Sequence, residues 1–195
     1  MKIILASASP RRLEILNKHG INPIVMPTEA DETISGNPGM TEVVEDLSLR
    51  KARACYDAII SDDSLKEKYS DYVIIGADTI VYTDKILGKP ENPDDAYSML
   101  DSYRGTYHYV VTGISLIDIR SAKSNVMSET TKVWCVNYSD EDIQHYLSME
   151  EPYDKAGAYA IQGYFGRYID HIEGDYENVV GLPFYRISSY TDKYR

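Results

Sequence analysis

The sequence predicts an α/β fold built on a mixed sheet. Three observations predict it. Strand-like and helix-like segments interleave along the chain. A wholly apolar run, Tyr72–Ala77, reads as a central strand. Two long stretches rich in Val, Ile, Thr and Tyr, Tyr107–Ile119 and Val126–Val136, read as neighbouring strands. The 195 residues suit a single domain over 1–195, or one domain with two lobes, long enough to bury a core without disulfide or structural metal.

Taken in order, Ile3–Ala6 is a short buried strand. Ser9 is placed as an N-cap with Pro10 at the first helical position, and a helix runs to about Lys18 before Gly20 stops it. Residues 22–39 are turn-rich, a loop with one short strand, and carry the acidic cluster Glu29, Asp31 and Glu32. A second helix covers about Thr41–Ile60. Its stripe Met40, Val44, Leu47, Lys51, Ala54 and Ala58 puts Lys51 on the inward face. Ser61–Asp71 is a charged loop. After the central run come Asp78-Thr79, then Ile80–Tyr82, a turn at Thr83–Lys85, and Ile86–Pro90. Pro93 starts a third helix that ends before Gly105. Ser139 with Asp142 forms a capping box for a helix to about Met149. A strand near Arg167–Ile172, a turn at Gly174 and a short terminal helix after Gly181-Leu182-Pro183 complete the chain.

Composition excludes several classes. Hydrophobic residues at 43% and charged residues at 26% exclude disorder as the main state. A net charge of −11 argues against a broad nucleic-acid or anionic-membrane surface, though not against a small anionic ligand. Cys55 and Cys135 form no C-x-x-C pair and read as reduced thiols of a cytoplasmic protein. Four histidines lack zinc-ligand spacing. No apolar run suits a membrane helix, and Ile3–Ala6 is too short for a signal-peptide core. The 18 tyrosines against 2 phenylalanines read as tyrosine replacing phenylalanine at half-buried positions.

Four features carry chemistry. The turn at residues 7–12 joins a helix N-terminus to Ser7, Ser9, Arg11 and Arg12. Such a terminus suits a phosphate, and arginines in a first turn oppose the helix dipole unless an anion is present. The alternative is a plain N-cap with two solvated arginines. Lys51 on an apolar stripe either points into a cleft toward an anion or runs its stem to water. Asp78 at the end of an apolar strand either faces a ligand cleft, ligating Mg²⁺ or taking a proton from water, or caps a bulge with Thr79. Gly88-Lys89-Pro90 fits no P-loop frame and by itself is a turn with an exposed lysine. The acidic cluster at 29–32 is by itself a solvated loop that could complete an oxygen-rich metal site with Asp78. Together these cations and carboxylates suit a nucleoside triphosphate with magnesium.

In order along the chain stand L-A-S-A-S-P-R-R at 5–12, D-E at 31–32, R-K-A-R-A at 50–54, I-G-A-D-T-I-V at 75–81, L-G-K-P at 87–90 and V-T-G at 111–113. E-P-Y-D-K-A-G-A-Y-A-I-Q-G at 151–163, G-D-Y at 174–176 and N-V-V-G-L-P at 178–183 follow. With these motifs the sequence resembles the Maf family of nucleoside triphosphate pyrophosphatases over nearly its whole length. The resemblance implies an elongated mixed-sheet fold similar to the inosine-triphosphate pyrophosphatases, with a central cleft between two lobes. It implies hydrolysis between the α- and β-phosphates of an NTP to NMP and pyrophosphate, as nucleotide housecleaning. It makes Asp78 the catalytic proton acceptor, with Glu32, Lys51 and Lys89 as its acidic and basic partners. One subfamily prefers dTTP and UTP, and its specificity positions fall on Arg11, Thr79 and Gln162. A glutamine amide donates and accepts at once, matching the carbonyl and N–H edge of uracil or thymine. Ala160 departs from the family's usual Gly.

The expected arrangement is therefore a divalent cation, Mg²⁺ with Mn²⁺ or Co²⁺ as substitutes, between phosphate oxygens and Glu32 and Asp78. Ser7, Arg11, Arg12, Lys51 and Lys89 hold the triphosphate, and Asp78 acts on water. The partner is an NTP, with no nucleic acid and no membrane, and a homodimer fits the family. The rival expectation is a non-catalytic nucleotide-binding regulator of septum formation.

Overall fold

A computed structural model describes residues 2–36 and 38–191. In chain order the elements are β1 (Lys2–Leu5), α1 (Pro10–Lys18), β2 (Ile24–Val25), α2 (Met40–Ile60), α3 (Asp63–Lys68), β3 (Tyr72–Tyr82) and β4 (Ile86–Leu87). Then come α4 (Pro93–Tyr103), β5 (Tyr107–Asp118), β6 (Ser124–Cys135), α5 (Asp140–Leu147), β7 (Ile169–Glu173), α6 (Tyr176–Val180) and α7 (Phe184–Thr191). Three short 3-10 helices, Glu151–Asp154, Ala156–Ala158 and Tyr164–Tyr168, lie between α5 and β7.

Seven strands form one mixed sheet, ordered β2-β1-β3-β5-β6-β7, with β4 paired to β3 off this path. β1 runs parallel to β2 and β3, whereas β4 is antiparallel to β3 and β7 is antiparallel to β6. The chain divides into two compact units. Unit 1 is Met1–Asp78, Thr112–Glu129 and Gly181–Arg195; unit 2 is Thr79–Val111 and Thr130–Val180.

In unit 1, Ile4, Ala6 and Ile74 of the sheet pack with Ala52, Cys55 and Ile59 of α2. Glycine sets how closely α2 approaches. A Cβ on Gly76 would lie 2.4 Å from the Ser48 carbonyl oxygen, and one on Gly113 only 2.0 Å from that of Val44. Real side chains cannot occupy either space, so two strands meet the helix backbone directly. The buried hydroxyls of Ser48 and Ser115 satisfy each other at 2.8 Å. The expected α2 stripe is thereby corrected in its second half. Ala52, Cys55 and Ile59 are buried, whereas Ala54 is half-buried and Ala58 exposed. Small residues follow the glycines, and apolarity alone misplaces the face.

Residues 61–71, expected as a loop, contain α3, another correction. Asp62 caps it by accepting from the backbone of Ser64 and Leu65, and none of its residues is buried. A helix held by its cap has no apolar period to read. α6, five residues long with Asn178 and Val180 buried, is too short to show an apolar period. The capping box of Ser139 and Asp142 forms as expected, though α5 ends at Leu147.

Unit 2 has an aromatic core of Tyr103, Tyr138, Tyr146, Tyr159, Phe165 and Tyr168. The expectation of half-buried tyrosines fails here, since Tyr103 and Tyr146 are 0% exposed. Each hydroxyl is used. Tyr103 donates to the Gly157 carbonyl, Tyr138 to that of Leu100, Tyr146 to Glu151 and Tyr168 to Asp142. Phenylalanine would fill the volume but leave those acceptors unmet.

Candidate active site

The turn between β1 and α1 is built around Ser7. Its hydroxyl accepts from the Ser9 N–H at 3.2 Å and from Arg12 Nη1 at 2.9 Å. Arg12 Nε donates to the Gly181 carbonyl at 2.9 Å, so the guanidinium is oriented from both ends of the chain. Burial is the largest influence on Arg12 and lowers its pKa. Asp78 and Glu32 pull it upward, while Arg11 adds to the fall. Arg12 therefore lies in the field of both carboxylates and of the neighbouring arginine. The expected capping by Ser9 is corrected: Ser9 holds the N-cap position, but its side chain makes no cap hydrogen bond.

The second group centres on Lys51. Its ammonium lies 2.5 Å from Asp78 Oδ1 and 2.8 Å from Glu32 Oε1. The Lys51 and Asp78 side chains are only 17% and 11% exposed, whereas Glu32 is 62% exposed. Lys51 thus points inward and does not run its stem to water. Asp78 is not at a strand end, as expected, but inside the eleven-residue β3. Alternation along a strand puts Asp78 on the face of Gly76. That is the face toward α2, which carries Lys51. The ladder tolerates a carboxylate in mid-strand because the lysine neutralises it.

Glu32 reaches Lys51 because its loop is fastened to α2. Arg50 Nη1 donates to the carbonyls of Asp31 at 3.1 Å and Thr33 at 3.0 Å, and its Nη2 pairs with Asp46 at 2.5 Å. The Thr28 hydroxyl donates to the Lys51 carbonyl at 3.4 Å. Sequence reasoning missed Arg50 as a supporting residue. The available signal was its place directly before Lys51 in the basic block.

Unit 1 therefore joins Ser7 to Arg12, and Asp78 to Lys51 and Glu32. Lys89, Thr79 and Gln162 belong to unit 2. Lys89 is exposed in the turn after β4. That turn is held where the Gly157 N–H donates to the Gly88 carbonyl at 2.9 Å. Gly157 has φ +70, a conformation glycine adopts readily. Thr79 follows Asp78 in β3 and faces the opposite side of the strand. Gln162 is exposed, just before the 3-10 helix Tyr164–Tyr168.

Among the described residues, no group of three His, Cys, Asp or Glu side chains could hold a metal ion. Glu32 and Asp78 nonetheless converge on one ammonium. Two carboxylates completed by phosphate oxygens are a donor set that fits Mg²⁺. No helix among the described residues is long and apolar enough to cross a membrane.

The model of the family described as Maf-like protein matches residues 2–193. A dTTP/UTP pyrophosphatase of Alkaliphilus oremlandii is 43% identical over 186 residues, covering 95% of this chain and 92% of the relative. One from Caldicellulosiruptor bescii is 40% identical over 188 residues, covering 96% and 92%. The solved Ham1 protein of Staphylococcus aureus is similar in fold, with a TM-score of 0.55, 12% identity and 100% of both chains covered. With the motif carboxylates and cations of unit 1 gathered as described and the family matched from residue 2 to 193, the chain belongs to the Maf-like protein family.

Proposed function

We propose that the chain hydrolyses the α–β phosphoanhydride bond of dTTP and UTP, giving the monophosphate and pyrophosphate, as a housecleaning enzyme of the nucleotide pool. The observation that carries this reading is Lys51 held between Asp78 and Glu32, with Arg12 in the field of both acids. The names of the relatives support the substrate pair.

In this reading Asp78 orients the attacking water and accepts its proton. Lys51 gives up one carboxylate contact to meet a phosphate oxygen. Arg12, already oriented by Ser7 and Gly181, and Arg11 beside it take up negative charge as pyrophosphate leaves. Lys89 adds a further cation. Mg²⁺, with Mn²⁺ or Co²⁺ as substitutes, would be held by Glu32 and Asp78. Bound there, it supplies positive charge to the phosphate oxygens. Gln162 reads the pyrimidine edge, with Arg11 and Thr79 contributing to specificity. The cytoplasm suits the chain's two buried, unpaired cysteines, whose thiols burial pushes up to about 11 and about 12.

Product identification tests the reaction, since a binding-only regulator releases no pyrophosphate. Asp78→Asn should cut kcat by at least ~10²-fold while NTP binding persists, as expected for loss of a positioned base. Full turnover in that variant would remove Asp78 from the mechanism.

A further inference from the structure

We propose that Glu151 is a positioning residue for substrate specificity, holding the turn that presents Gln162 to the base. The inference rests on the reading of Gln162 above. Its observations all lie within unit 2.

Glu151 Oε1 accepts the Tyr146 hydroxyl at 2.8 Å, and Oε2 accepts the Tyr164 backbone N–H at 3.1 Å. Tyr146 is 0% exposed. Its phenol pKa is raised, first by burial and then by Glu151, and a backbone hydrogen bond from Ala160 opposes the rise. The carboxylate thus holds the backbone of residue 164 directly and is itself fixed by the buried Tyr146 hydroxyl. Residue 164 is the anchor on the C-terminal side of Ile161, Gln162 and Gly163. The Gly163 N–H closes the turn on the Ala160 carbonyl at 3.1 Å.

Gly163 shows how tightly the acid is seated. A Cβ there would lie 2.1 Å from Glu151 Oε1 and 2.4 Å from Oε2. Its φ of −95 is one any residue adopts, so the glycine answers to the carboxylate and not to backbone strain. The nearby Lys155 ammonium donates to the Glu151 carbonyl and to Asp154, not to this carboxylate. The Glu151 charge is therefore spent on one hydroxyl and one backbone amide, contacts that are strong and directional. Gln162 stands exposed in the middle. An amide that must match a donor and an acceptor on one base edge works only if its backbone is fixed to about half an ångström.

The test measures kcat/KM for UTP against that for each other ribonucleoside triphosphate, using the full chain. Glu151→Gln and Tyr146→Phe should each lower the UTP preference about tenfold, the order of one charge-assisted hydrogen bond. Gln162→Ala should lower it at least as far, and adding Glu151→Gln to Gln162→Ala should lower it no further. If Gln162→Ala lowers the preference while both other variants keep it, the inference is overturned and the base reading stands. If Gln162→Ala leaves the preference intact, the base reading falls and takes the inference with it. A uniform loss of rate on every substrate, with the preference unmoved, also overturns the inference by reducing Glu151 to a structural role. Should Glu151→Gln fail to fold, Tyr146→Phe decides alone.

Discussion

Lys51 joins two acids of unequal exposure, Asp78 at 11% and Glu32 at 62%. The inner contact keeps a carboxylate tolerable inside β3, and the outer one is the easier to exchange for a phosphate. Lys51→Met should therefore act twice: kcat should fall at least ~10²-fold, and the urea midpoint should drop because Asp78 loses its counter-charge. An active variant with an unchanged midpoint would contradict both roles. Arg50 makes the exchange local. It grips the carbonyls of Asp31 and Thr33, so in the proposed mechanism the loop would stay moored when Lys51 exchanges Glu32 for phosphate. Asp78 was legible through its apolar surroundings, whereas the stripe left Lys51 open between a cleft and water, and only the motif block around it favoured the inward reading. The sequence hid Arg50 and Glu151, because a side chain that serves carbonyls or a backbone amide leaves no pattern of spacing or hydropathy.

Among the elements, α2 carries the strictest demand. Its backbone lies so close to Gly113 that one methyl group must force the helix from the sheet. Gly113→Ala should destabilise the chain by roughly 3 kcal/mol or more, an overpacking cost at a site with backbone on the far side. Gly88→Ala, with nothing within 4 Å of the added carbon, is the control and should change stability by less than about 1 kcal/mol. Equal effects in denaturant titrations would refute the close-approach argument. The V-T-G block is visible in the sequence, but its reason is not. The glycine answers to a helix about seventy residues earlier (Val44 against Gly113), and only their meeting explains it. The interleaved α/β order and the pairing of β5 with β6 were legible because each depends on local composition. α3 was not, since a side-chain cap replaces apolar periodicity there.

For the molecule as a whole, pH sets the limits of stability. His108 is 0% exposed and burial lowers its pKa to about 3, while Nε2 meets the Tyr159 hydroxyl at 2.6 Å. An unfolded histidine titrates near 6.5, so between about 6.5 and about 3 the unfolded chain binds one more proton than the folded one. Stability is unaffected by this group above about pH 6.5 and falls as pH drops, by about 2 kcal/mol from pH 7 to pH 5. His108→Phe should flatten that slope in urea titrations, and a slope unchanged from the parent would disprove the assignment. The tyrosine core acts at the other extreme. Tyr103, Tyr138, Tyr146 and Tyr159 all have pKa values raised by burial. Once released, each phenol ionises near pH 10. Above that value the unfolded chain sheds protons that the folded core retains, so alkali should dismantle unit 2 cooperatively, and phenolate absorbance should report its collapse in a single step.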